Sequence, residues 1–400
     1  MTTTTLSNVV AQEAAHVLQV YKRTPVVFER GEGVRLYDVN GRGYLDFISG
    51  VGVAALGHAH PLIAAALADQ AKTLVHTSNL FYHPLQGELA TRLSTLTGLD
   101  RVFFCNSGAE AVETCLKFAR RYWHTHGSSS RTKYVAFEHS FHGRTMGALS
   151  VTWDEHYRGP FQPLIQDVVF ADPNDPSSLD ALVDDRTAAI IVEPIQGEGG
   201  LRPIQPALVR AINAAVARTG TLVIADEIQC GSGRTGAFTH SAAAGLKPDL
   251  MSLGKAMGAG MPIGAALFTN RVAAAAVPGD HGSTYGGNLL ACRAALTFLD
   301  VIERDGLMAN VTRMSARLFD GLHAIASRTK IVTDVRGAGL MAGLELAVDA
   351  APVVAAAFER GLLVNRTATT VIRLLPPYII TEADVDDALR ILEEAVLTVA

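Results

Sequence analysis

The chain has 400 residues, of which 48% are hydrophobic and 18% charged. That is enough for two domains of roughly 100–200 residues, and it excludes disorder as a description of the whole chain. Thirty-four Lys and Arg against 39 Asp and Glu leave a formal net charge of −5. There is no basic surplus to follow a phosphate backbone, so nucleic acid is not expected as a partner.

The segment Met1–Leu6 is a threonine run with no basic stretch leading into an apolar one, so no secretory signal is expected. No apolar run approaches the ~20 residues that span a bilayer, so no membrane association is expected. Cys105, Cys115, Cys230 and Cys292 form neither a CxxC pair nor a disulfide framework. A soluble protein of a reducing compartment, the cytoplasm, is the reading.

Strand-like segments at 25–28, 34–38 and 44–48 come first, separated by glycine turns. They are too few to fold alone, so residues 1–55 are expected to dock on the C-terminal part. Strand candidates follow at 101–105, 133–137, 188–193, 221–226, 249–253 and 264–269, alternating with helical stretches. Alternation of this kind marks an α/β fold with a mostly parallel sheet, and a continuous run such as Ala188–Val192 suits burial on both faces. Residues 56–288 read as this large domain. From 289 the pattern changes to helices at 289–303 and 311–326, strand-like 331–346 and 371–380, and a last helix from Glu382. Residues 289–400 read as a smaller α+β domain.

Three segments carry chemistry. Asn106–Glu110 lies between a strand and an amphipathic helix, where free backbone N–H groups and the positive helix end suit a phosphate; an ordinary Ser cap is the bland alternative. Asp226 ends the strongest strand candidate, on the edge where α/β sheets bind ligands, although Asp there also caps helices. Lys255 is one of seven lysines and the only one in an apolar, Gly-flanked segment just past a strand. Desolvation lowers an amine's pKa and fits it for Schiff-base chemistry.

Gly231-Ser232-Gly233-Arg234-Thr235-Gly236 matches GxGxxG after a strand. A dinucleotide site would also need a helix opening inside the motif and an acid ending the next strand; both are missing, which sets the NAD reading aside. The pairs His58/His60 and His139/His142 have no third ligand at a metal-site spacing, so no metal is expected.

Taken in order, Gly57–Pro61, Asn106–Glu110, Phe141–Thr145, Glu193–Gly199, Asp226–Gln229 with Gly233–Gly236, Gly254-Lys255, His281–Asn288 and Val371–Arg373 resemble the class III aminotransferases of the ornithine and acetylornithine type. These are fold-type-I enzymes that use pyridoxal 5'-phosphate. The resemblance implies that Lys255 holds the cofactor and shuttles the proton, and that Asp226 keeps the pyridine nitrogen protonated. It further implies Gln229 at the phenolic oxygen, Ser107, Gly108 and Ala109 around the phosphate, and Phe141 stacked on the ring. Thr284 would reach the phosphate of the cofactor in a partner subunit, with Ser283 beside the substrate, so a homodimer is implied.

For substrates, the resemblance implies Arg144 on the α-carboxylate of the donor, through a bidentate fork. Arg373 would grip glutamate or 2-oxoglutarate, and Glu198 would mask Arg373 when the acylated donor is bound. The implied reaction moves the δ-amino group of N-acetylornithine to 2-oxoglutarate, a step of arginine biosynthesis. Ornithine, succinylornithine and 4-aminobutyrate remain open as donors; Phe141 and Arg144 favour an ornithine-type donor over 4-aminobutyrate, and the motifs do not tell an acetyl from a succinyl cap.

Overall fold

In the computed structural model, which describes residues 5–399, the alternating segments assemble into a seven-stranded sheet. Across it the strands run Arg101–Cys105, Gly264–Phe268, Leu250–Leu253, Leu222–Asp226, Thr187–Val192, Lys133–Phe137 and Val168–Ala171. Neighbours from Leu250–Leu253 to Val168–Ala171 are parallel, while Gly264–Phe268 runs antiparallel to both of its neighbours. Helices cover both faces, and Thr187–Val192 and Leu222–Asp226 are accordingly buried at every residue.

Several elements differ from the sequence reading, such as the helix Leu6–His16 where none is expected, and two strands show why. Val168–Ala171 is a strand where none is expected; it lies at the sheet edge and only Ala171 is fully buried, so the two-sided apolar signature is weak there. At the N-terminus the apolar run predicts a strand at 25–28, but the strand is the largely exposed Phe28–Glu32. Its place is set by a two-residue turn: Glu32 faces Arg35 across the antiparallel pair with Arg35–Asp38.

The N-terminal strands continue into Gly43–Asp46, which pairs in parallel with Leu362–Leu363 from far along the chain. A second four-stranded sheet orders Val332–Ala338, Met341–Leu346, Val371–Leu374 and Asn365–Thr367, and its inner strand Val371–Leu374 carries Arg373. Helices Leu289–Arg304, Leu307–Arg328 and Glu382–Leu397 present Leu296, Leu318 and Leu392 to one apolar cluster that also contains Leu253 and Leu344. Among the described residues no helix is long and apolar enough to cross a membrane.

Parallel pairing brings the carboxyl ends of four strands to one edge of the large sheet. Those ends lead to Phe141, Glu193, Asp226 and Lys255, so the topology gathers residues more than a hundred positions apart.

Candidate active site

Asp226 is the last residue of its strand and only 4% exposed. One carboxylate oxygen accepts from the Ser252 hydroxyl and from the backbone N–H of Ile228, each at 3.1 Å. The other lies 2.7 Å from Nδ1 of His142, whose side chain is fully buried and whose Nε2 has no partner. A buried carboxylate with three hydrogen bonds is fixed in direction.

Lys255 follows Gly254 in a short 3-10 turn and holds a positive φ of 44°. Such backbone in a non-glycine residue is uncommon and concentrates at functional sites. Burial lowers the Lys255 pKa most; Glu198, Asp226 and Glu193 pull it back up, Arg373 pushes it down again, and the net direction is downward. A larger fraction of nucleophilic neutral amine results. A Cβ on Gly254 would meet the Gly108 backbone at 3.4 Å, so the lysine loop and the candidate phosphate loop touch.

That second loop is held by side-chain caps at the start of helix Gly108–Thr125. Ser107 Oγ accepts from the N–H of Glu110 at 3.2 Å, and the Glu110 carboxylate accepts from the Asn106 backbone N–H at 2.5 Å. Ser107 is exposed, and the N–H groups of Gly108 and Ala109 open the helix. Gly108 has no room for a side chain, since its Cβ would stand 2.8 Å from Ile228. Exposed hydroxyl, free N–H groups and helix dipole together fit a phosphate, and a buried carboxylate at Asp226 fits a protonated ring nitrogen. The donor set thus suits pyridoxal phosphate.

Arg373 is 2% exposed and reaches both Glu198, at 2.5 Å, and Gln229 Oε1, at 3.3 Å. Burial pushes the Glu198 carboxyl up, but the charge and hydrogen bond of Arg373, helped by Lys255 and Gln229, outweigh it and leave Glu198 below the usual range. Gln229 Oε1 is therefore an acceptor for Arg373 as well as a candidate for the ring. Arg144 is exposed, its guanidinium 3.5 Å over the Tyr157 ring and 5.4 Å from that of Phe141. Among the described residues no carboxylate lies within 4 Å of it, so its fork is free to take an anion. Phe141, Tyr157, Trp153, Glu198 and Arg366 line a cavity of about 390 Å³ beside it.

Ser283 and Thr284 stand apart from this cluster within the chain. Ser283 Oγ accepts from Asn106 Nδ2 at 3.2 Å and from the Gly286 N–H at 2.9 Å, while Thr284 is exposed. The structure therefore brings together Lys255, Asp226, Gln229, Glu198 and Arg373, sets Phe141 and Arg144 at the mouth, and leaves Thr284 facing outward. Sequence reasoning missed Ser252, His142 and Glu193 as contributors. The first two are ordinary polar residues whose importance comes only from reaching Asp226; Glu193, however, ends its strand candidate in the sequence just as Asp226 does, and that signal was available.

The family model described as aminotransferase class-III matches residues 17–396. The chain belongs to the class III aminotransferases. An acetylornithine aminotransferase of Archaeoglobus fulgidus is 47% identical over 96% of this chain and 99% of its own, and one from Clostridium acetobutylicum is 41% identical over the same shares. Among solved structures of this class III fold, ornithine aminotransferase from Toxoplasma gondii superposes with a TM-score of 0.94 at 34% identity, covering 99% and 96% of the two chains. Acetylornithine aminotransferase from Elizabethkingia anophelis gives 0.89 at 34% identity, covering 98% and 99%.

Proposed function

We propose that this class III aminotransferase moves the δ-amino group of N2-acetyl-L-ornithine to 2-oxoglutarate, giving N-acetyl-L-glutamate 5-semialdehyde and L-glutamate, a step of arginine biosynthesis. The carrying observation is the Glu198–Arg373 pair beside Lys255. A two-substrate enzyme needs a site that accepts a second carboxylate in one half-reaction and hides the cation in the other. The relatives named acetylornithine aminotransferase at 40–47% identity support the choice of donor.

Pyridoxal phosphate, when bound, supplies the electron sink that makes the proton next to the reacting nitrogen removable. Lys255 would hold it and then carry that proton as a neutral amine, which its lowered pKa favours. Asp226, braced by His142 and Ser252, would keep the ring nitrogen protonated, and Gln229 would face the phenolic oxygen. Ser107, Gly108 and Ala109 would take the phosphate, and Phe141 would cover the ring. Arg144 would bind the donor α-carboxylate in the bidentate fashion of a guanidinium. Arg373 would bind that of glutamate or 2-oxoglutarate once Glu198 has swung aside.

The same reading makes the protein a homodimer, with Thr284 reaching the partner's cofactor and Ser283 near the substrate. Support comes from the apolar side chains that stand in solvent around that loop: Leu80 is 86% exposed, Phe81 68% and Tyr285 62%. A patch of this kind is expected to be covered. A cytoplasmic setting is supported by four cysteines that are all free and buried.

The test is the visible spectrum of the holoenzyme, recorded before and after N-acetylornithine, ornithine, succinylornithine and 4-aminobutyrate in turn. N-acetylornithine is expected to discharge the cofactor band and 2-oxoglutarate to restore it. Discharge by another amine alone would replace the donor; absence of any band after adding pyridoxal phosphate would overturn the reading.

A further inference from the structure

Glu193 lies immediately after strand Thr187–Val192, neighbour of the strand that ends in Asp226, and it is 8% exposed. Its carboxylate is bound by two backbone segments that belong to different loops. One oxygen accepts from the N–H of Phe141 at 3.0 Å, and the other from the N–H of Gly197 at 3.2 Å. Phe141 lines the mouth of the cleft, and Gly197 precedes Glu198, which pairs with Arg373. Gly197 itself is locked against the site, since a Cβ there would collide with the Gln229 side chain.

A buried carboxylate is costly unless its lone pairs are taken up. Here they are taken up by peptide groups and not by a cation. His142 and Asp226 are the titratable neighbours that face Glu193 most strongly, and its charge is also felt by Lys255. Burial raises its pKa to about 7, with the Asp226 charge adding to the rise and His142 and the two N–H groups opposing it. None of the motif roles uses this residue, yet both the Phe141 loop and the turn before Glu198 are bonded to it.

We propose that Glu193 is a positioning residue whose single carboxylate ties the Phe141 loop to the Glu198 turn, so that ring cover and carboxylate gate keep a fixed separation. The inference rests on the function proposed above. Losing the Phe141 anchor loosens the cofactor. Losing the Gly197 anchor loosens the closed Glu198–Arg373 pair, which the acylated donor needs and glutamate does not. The two half-reactions therefore respond unequally, which a general loss of stability would not produce.

The experiment compares wild type, Glu193→Gln and Glu193→Asp. The apoprotein of each is titrated with pyridoxal phosphate, and each holoenzyme is mixed separately with N-acetylornithine and with glutamate while loss of the cofactor band is followed. Gln retains the shape but faces one N–H with an NH2 group; Asp retains the charge but is too short to bridge both loops. Each variant thus loses one hydrogen bond of the bridge, and is expected to lose about tenfold in cofactor affinity. The ratio of specificity constants, N-acetylornithine over glutamate, is expected to fall about tenfold as well. Both half-reactions falling equally, or an Asp variant indistinguishable from wild type, would overturn the inference. Should the Gln variant not fold, the Asp variant carries the same comparison. Wild type that is discharged by neither amine would instead take down the proposed function, and this inference with it.

Discussion

Lys255 shows how a residue acquires chemistry from its surroundings. In solution its amine is almost wholly protonated near neutral pH; burial lowers its pKa while Glu198, Asp226 and Glu193 limit the fall. Lys255→Ala is expected to abolish turnover and the cofactor band while the fold persists; near-native turnover, measured in a coupled glutamate assay, would remove Lys255 from the mechanism. Glu198→Ala leaves Arg373 buried without its carboxylate partner. It should shift preference toward glutamate, by about tenfold or more, with cofactor content little changed. Unaltered donor selectivity would end the gate reading. Glu193 adds a pH signature. Its native pKa of about 7 exceeds the ordinary 4.5, so the folded protein keeps a proton that the unfolded chain releases between those values. Its stabilising contribution, about 3 kcal/mol from the linkage relation, is present below the unfolded value and is lost as pH rises through the folded one. The difference in unfolding free energy between apo wild type and Glu193→Gln should fall with pH across that window; a flat difference would contradict it.

At the scale of elements, the helix Gly108–Thr125 is legible in the sequence: Ser107, Glu110 and the spacing of Ala111, Val112, Cys115 and Leu116 mark its start and its buried face. Ser107→Ala removes the cap to Glu110 and one hydroxyl donor beside the phosphate loop. It should cost about 1 kcal/mol of stability, read from a urea midpoint, and weaken pyridoxal phosphate binding. A lower midpoint with unchanged binding would mean that the hydroxyl only caps the helix. Elements without such local marks escape a reading of the sequence: Val168–Ala171 has a one-sided edge environment, and Phe28–Glu32 is polar and held by its turn and partner strand. Periodicity reports which face is buried, and these strands bury little.

Over the whole molecule, Arg234 links the large sheet to the C-terminal part. It is fully buried, donates to the carbonyls of Leu340 and Pro376, and lies 4.6 Å over the Tyr378 ring. The glycine-rich motif around it, which imitates a dinucleotide loop in sequence, here serves packing between the two parts. Arg234→Ala would leave two carbonyls unpaired beside a void. It is expected to cost about 2–5 kcal/mol, with a lower urea midpoint at unchanged slope; a loss under about 1 kcal/mol would show that the seam does not depend on it.

The sequence by itself determined the α/β alternation and the start of the helix at Ser107, because propensity and periodicity are local properties of the chain, and the order of its motifs, through a family resemblance, pointed to Lys255, Asp226, Glu198 and Arg373. It could not determine that the Glu193 carboxylate would meet the backbone of Phe141, that His142 would brace Asp226, or that Arg234 would close a seam with Leu340 and Pro376. Those contacts join residues distant in sequence, and only the parallel pairing that brings four strand ends to one edge, together with the packing of the smaller sheet against them, sets their distance and burial.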